Sequence, residues 1–172
     1  TMHAHVAMAI VVGGVFVAGC VTVHADEPDP GGAVEVRESN DGSSCSAAPV
    51  RRVVAYANAE RRARDLPLLE CSGDLARLAQ SHADDMCERN YVGHVDPDGV
   101  GPRARFDAHR IDARAIGENV AFGQRTAWEV HDGWMHSAGH RKNIVHPAFD
   151  RIGVAVRWCD GPPYWVEVFA GG

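Results

Sequence analysis

The chain has 172 residues, room for one domain and a flanking segment, and its 45% hydrophobic and 23% charged content excludes general disorder. The formal charge of −6 is concentrated at the front, where residues 1–48 hold six acids against Arg37 alone. The remaining body is close to neutral and lacks a basic footprint, so no nucleic acid is expected as a partner.

Residues 1–25 read as a leader. Val6 to Val23 is almost wholly apolar and ends in two small-residue patterns. Val17-Ala18-Gly19-Cys20 has the form of a bacterial lipoprotein box, which would lipidate Cys20; Val23-His24-Ala25 before Asp26 suits ordinary signal peptidase. An uncleaved anchor is the third reading, since the run is close to the lower limit of roughly 18 residues for spanning. Gly13, Gly14 and Gly19 weaken it, and no Lys or Arg precedes the run. Residues 26–49 read as an acidic flexible linker rich in Gly, Ser and Pro. The folded domain is expected over 50–172, in the cell envelope or outside the cell.

The first helix is expected over Val50 to Arg64, with Val53, Tyr56, Ala57 and Ala63 inward and Arg51, Glu60, Arg61 and Arg64 on a charged face. After a short extended piece, Pro67 to Glu70, Ser72 can cap a second helix. There Leu75, Leu78, Ala79, His82 and Met86 recur at helical spacing, and His82 reads as a satisfied core or boundary residue. Gly93 to Arg103 is rich in turn residues, including Asp96-Pro97-Asp98-Gly99. Thr126 and Glu129 form a capping box for a third helix that presents Ala127, Val130 and Trp134. That helix is expected to end at Ser137-Ala138-Gly139.

The period then changes. Ile152, Val154, Val156 and Trp158 alternate, Cys159 to Pro163 turns the chain, and Tyr164, Val166 and Val168 alternate against Trp165, Glu167 and Phe169. This is a hairpin with bulky residues on both faces, as expected where helices cover a sheet on two sides. The fold class is therefore α+β, a three-layer α-β-α sandwich around a small antiparallel sheet.

Besides Cys20, the cysteines are Cys45, Cys71, Cys87 and Cys159, an even set suited to disulfides in an oxidising compartment. Cys71 and Cys87 flank the second helix, about 24 Å apart at 1.5 Å per residue, and cannot pair. The short connection between the first two helices suggests that they run antiparallel, which gives Cys45–Cys87 and Cys71–Cys159 as the expected bonds.

Several ordered motifs carry a family resemblance over Val50 to Gly172. They are Ala79 to Met86, Gly93-His94 with Asp98-Gly99, Gly117-Glu118-Asn119-Val120-Ala121-Phe122-Gly123, Gly133 to Ile144, Ile152-Gly153-Val154 and Tyr164 to Phe169. In these the chain resembles the CAP superfamily, shared by cysteine-rich secretory proteins, insect antigen 5 and plant pathogenesis-related proteins, and specifically its bacterial SCP-like branch. The resemblance implies an α-β-α sandwich and a cavity built from two histidines and two acids, sometimes occupied by a divalent metal. Carried over, the histidines are His94 and His140, which would be the metal-binding pair, and the first acid is Glu118; the resemblance implies that the turn after Ser137 aims His140 inward to meet His94 and Glu118. Ser137 stands where the second acid is expected. Glu129 is the nearest acid in that helix, but the capping box already accounts for it.

The resemblance requires no cofactor, though two neutral imidazoles would suit a metal such as zinc. His136 and His140, four apart, form a weaker candidate pair because Gly139 intervenes. Arg141 and Asn143 are expected to tie the following loop by hydrogen bonds. Three functions remain. The first is a binding module for an apolar small molecule or an extracellular protein, held at the membrane by its leader or a lipid anchor. The second is a hydrolase using His94, Glu118 and His140, or Ser137 with His140 as nucleophile and base. The third is a structural cell-envelope protein. No catalytic residue is assigned.

Overall fold

The computed structural model describes Cys45–Gly172. The expected leader, the lipidation candidate Cys20 and residues 26–44 of the expected linker lie outside the described residues. Cys45–Pro49, assigned to the linker by composition, belong instead to the folded unit. Cys45 is buried, and Ala48 opens α1 (Ala48–Arg62) with a proline in its first turn, where a missing N–H is harmless. The strand β1 (Glu70–Cys71) follows, then α2 (Gly73–Arg89), capped by Ser72 and closed by Asn90 in the left-handed region.

Two elements in the middle were not visible as periodic patterns. They are α3 (Pro102–Ala108), inside the turn-rich stretch, and β2 (Ala115–Phe122), which contains the Gly-Glu-Asn motif. The expected capping box opens α4 (Ala127–His136), where Thr126 and Glu129 bond each other's backbone N–H. Ser137 to Gly139 does not simply end the helix. Ser137 closes α4 and opens α5 (Ala138–Ile144), so Gly139 and His140 lie inside a second short helix. The hairpin β3 (Arg151–Arg157) and β4 (Tyr164–Gly171) completes the chain.

The four strands lie in the order β1-β3-β4-β2. The sheet is mixed: β1 runs parallel to β3, whereas β3, β4 and β2 are antiparallel. Strand alternation divides the core in two. Ile152, Val154, Trp165 and Phe169 pack under α1, α4 and α5 with Val53, Tyr56, Val130 and Trp134. Ala155, Val166, Val168 and Ala170 pack under α2 and α3 with Leu78, Ala83, Met86 and Phe106. Every residue of β4 is buried, as a strand covered on both faces requires. Gly153 sets how closely α2 approaches, since a Cβ there would sit 2.2 Å from the Leu75 carbonyl carbon.

The disulfides are Cys45–Cys71 and Cys87–Cys159, with Cα separations of 6.4 and 6.3 Å, not the expected Cys45–Cys87 and Cys71–Cys159. The premise of an antiparallel helix pair fails because the sheet stands between α1 and α2. Cys71 enters that sheet beside β3, near the start of α1, while the end of α2 meets the hairpin turn at Cys159.

Arg61 also departs from expectation. It is 0% exposed and belongs to the interior, not to a charged outer face. Its guanidinium donates to the carbonyls of Pro67 (2.7 Å), Ile144 (3.0 Å), His146 (2.9 Å) and Phe149 (2.8 Å). One side chain thus ties α1 to the segment that joins α5 to β3. Arg61→Met would leave those carbonyls short of donors, each buried one costing about 1–3 kcal/mol. We expect a loss of at least ~3 kcal/mol in urea unfolding, with Arg61→Lys recovering only part of it.

Candidate functional site

The site grows from β2, the edge strand that carries Glu118 and Asn119 on opposite faces. Glu118 faces α2 and α3, with only 2% of its side chain exposed. A carboxylate there needs compensation. Arg105 of α3 supplies it: Nη2 lies 3.1 Å from Oε1 and 3.0 Å from Oε2. The same nitrogen donates to the His94 carbonyl at 2.6 Å, and Nη1 donates to the Val100 carbonyl at 2.9 Å. Pro102 at the first helical position starts α3 where its Arg105 can reach all of these groups.

His94 sits in the loop between α2 and α3 and donates through Nδ1 to Glu118 Oε1 at 2.9 Å, with its side chain 47% exposed. That bond raises its pKa above the ordinary histidine value, against an opposing desolvation. His82, fully buried on α2, donates from Nε2 to the Gly93 carbonyl at 3.0 Å and lies 3.8 Å from Glu118 Oε1. Burial lowers its pKa, so it stays a neutral donor that fixes the loop from below. Asp96 closes the loop's outer turn, accepting the N–H groups of Asp98 (2.9 Å) and Val100 (2.8 Å).

His140 approaches from the other side of β2, on α5. Its pKa is lowered by desolvation first and by the nearby charge of His94 second. The two imidazoles are therefore neighbours pushed in opposite directions, His94 toward the proton and His140 away from it. The Asn119 side chain donates to the His140 carbonyl at 3.2 Å. Asn143 donates to the Glu118 carbonyl at 3.1 Å and to Asn119 Oδ1 at 2.8 Å. Arg141 reaches the Met135 carbonyl at 3.1 Å, so it and Asn143 tie α5 back to α4 and across to β2, not to the following loop as expected.

His94 and Glu118 thus come together, and His140 lies close enough to His94 to feel its charge. Ser137 does not join the hydrogen bonds of Glu118 or His94, and its side chain makes no cap bond. His136 is exposed and bonds back to the Asp132 carbonyl at 2.9 Å, away from His140. Glu129 is committed to the N–H groups of Arg125 and Thr126. Arg105 is the site residue that sequence reasoning missed. A buried Glu118 demands a cation, but nothing separates Arg105 from the neighbouring arginines until α3 is seen.

An α-β-α sandwich with a paired acid on its edge strand, joined to a loop histidine, defines an SCP-like domain. The chain belongs to the cysteine-rich secretory protein (CAP) family, whose sequence model matches residues 54–169. It is 34% identical over 142 residues to the uncharacterized protein YkwD of Bacillus subtilis, covering 83% of this chain and 54% of that one. An extracellular SCP-domain protein from Bacillus anthracis is 28% identical with a TM-score of 0.66, over 71% of this chain and 40% of its own. An outer surface protein of Borrelia burgdorferi shares the fold at 21% identity and TM-score 0.65, over 69% of this chain and 89% of its own. The chain therefore spans about half the length of the curated relative.

Because the His94 pKa is raised in the fold, its bond with Glu118 adds stability that is fully present below about pH 6.5. That contribution is lost as pH rises through the folded value. Glu118→Gln should lower the His94 midpoint in an NMR titration. Arg105→Met, which strands the buried carboxylate, should cost about 3–5 kcal/mol in denaturant unfolding.

Proposed function

We propose that this domain is an exported binding module that takes an apolar small molecule or an extracellular protein at the face shared by His94 and His140. The observation that carries this reading is the loop itself. Val92, Val95 and Val100 are 51%, 55% and 37% exposed beside His94, while the acid at the site, Glu118, is occupied by Arg105 and His94. Apolar side chains next to a few fixed polar groups suit recognition. A general base must be free to receive a proton, and Glu118, held by Arg105 and His94, is not. Two disulfides and the extracellular and outer-surface descriptions of the similar structures support export. Retention at the membrane through lipidated Cys20 is part of the proposal.

Zinc is the metal this face would take, and the fit is poor. Among the described residues no three His, Cys, Asp or Glu side chains are grouped to hold a metal ion. His94 Nε2 and His140 would supply two donors, with Glu118 orienting the first imidazole through Nδ1. Binding is expected to be weak and to fall as pH drops and the imidazoles protonate, His94 before His140.

Protein purified without added metal or detergent should carry extractable apolar ligand by mass spectrometry. Val95→Asp should reduce it at least about tenfold, the effect of ~1.4 kcal/mol, without changing the unfolding midpoint. Zinc titrated calorimetrically should bind weakly to wild type, fail to bind His94→Ala and be unaffected by Glu129→Gln. Neither ligand nor zinc on the wild type, with Val95→Asp indistinguishable from it, would leave the structural-protein reading in place.

A further inference from the structure

On the opposite face of the sheet from Glu118 lies a second acid, and among the described residues no arginine or histidine answers it. Glu167 has no exposure; it stands across from Asn119 of β2 and Val154 of β3. Its Oε2 accepts from Asn119 Nδ2 at 2.9 Å, and its Oε1 is buried without a partner among the described residues. An amide nitrogen carries two protons. The second proton of Asn119 Nδ2 goes to the His140 carbonyl at 3.2 Å, while Asn119 Oδ1 accepts from Asn143 at 2.8 Å. Asn119 therefore joins the buried acid to the helix that carries His140.

We propose that Glu167 is a positioning residue for the His140 wall of the site, holding α5 through Asn119 while it is protonated and loosening it when it loses its proton. The reason is competition for one donor. A neutral carboxyl is satisfied through Oε2 and leaves only a hydroxyl unpaired. A carboxylate would leave a charged oxygen with no donor among the described residues, and the amide that already bonds the acid has its second proton spent on the His140 carbonyl. Ionisation would draw that amide toward Glu167 and away from α5.

The surroundings are consistent with a neutral acid. Burial pushes the Glu167 carboxyl up to about 8, opposed only by the Asn119 bond. The ionisable groups carried over this face by the elements packed on it include Tyr56, Glu60 and Arg61 of α1, His131 and Asp132 of α4, and His140 of α5. Arg61 is held by carbonyls. His131 lies tilted against Tyr56 and responds to Glu60 and Asp132, and His140 responds to His94. None of them acts on Glu167. The acid is raised in the fold, so its contribution to stability is full below about 4.3, the unfolded value, and is lost as pH rises through about 8.

The inference rests on reading His140 as part of the ligand face, but its test needs no ligand. The full chain, wild type and Glu167→Gln, would be followed by NMR from about pH 6 to 9.5. Three signals matter: the Glu167 side-chain carbon, the Asn119 side-chain amide and the Arg141 backbone amide, whose peptide contains the His140 carbonyl. In wild type all three should move with one midpoint near 8. In Glu167→Gln, which keeps the acceptor for Asn119, the step at the Glu167 midpoint should vanish from the other two, leaving only changes that follow the His94 and His140 ring signals. A Glu167 carbon titrating in the ordinary carboxylate range overturns the proposal, as does an Arg141 step with the Glu167 midpoint that persists in Glu167→Gln. If that variant does not fold, unequal midpoints for Glu167 and Arg141 in wild type overturn it equally. A shared step near 8 with no zinc or lipid bound at any pH would uphold this inference and sink the binding reading instead.

Discussion

A carboxylate withdrawn from water on the edge strand of a sheet sets the terms for this structure. Glu118 cannot remain there unpaired, and one Arg105 nitrogen meets both of its oxygens. That nitrogen also takes the His94 carbonyl, so the charge requirement fixes the loop. The short helix α3 delivers the arginine, and neutral His82 holds Gly93 from the other side. His94 is consequently placed by backbone bonds that exist to neutralise Glu118, and its own imidazole then completes the cluster. Removing the charge pair would release the loop as well as the acid.

The other face of the sheet meets buried charge in a different way. Arg61 is enclosed without an acid and takes four carbonyl oxygens, which suit its planar set of donors. Burial lowers its pKa from the ordinary arginine value, but that value is so high that the group keeps its proton. Glu167 has no cation and one amide bond among the described residues, and the proton itself neutralises it. The two groups share a layer without pairing, because the carbonyls from Pro67 to Phe149 already use the guanidinium. Charge on this face therefore organises connections between α1, α5 and β3, whereas charge on the first face organises a site.

Much of this layout was legible in sequence where local chemistry is self-contained. The Thr126–Glu129 capping box, the Ser72 cap and the alternating β3–β4 hairpin each depend on residues within one element, and each forms as the pattern indicates. The failures have a common cause in tertiary context. β2 reads poorly because Gly117, Glu118 and Asn119 lack the branched residues of a strand, and it is held by β4 along its whole length. Arg61 looks like one member of a charged face until the α5–β3 segment folds over it. The disulfide pairing required knowing that a two-residue strand, β1, carries the chain into the sheet between two helices. Of the site, the resemblance supplied His94, Glu118 and His140, but it could not reveal Arg105 or the Glu167–Asn119 pair, whose partners are distant in sequence.

Asn143 links the two faces at a single point. Its amide donates to the Glu118 carbonyl and to the Asn119 side chain, so it holds adjacent residues of β2 whose side chains leave on opposite sides. As an edge strand, β2 has backbone groups that no further strand can satisfy, and α5 and α4 cover two of them through Asn143 and Trp134. The loop bearing His94 and the helix bearing His140 are thus fixed to the same short length of backbone from either side. A displacement of α5 acts on the Glu118 peptide directly, without passing through the core. The Gly-Glu-Asn motif has a physical meaning in these terms: Gly117 leaves room for the Phe149 ring, which a Cβ would approach to 2.8 Å. Glu118 then anchors one histidine wall and Asn119 the other.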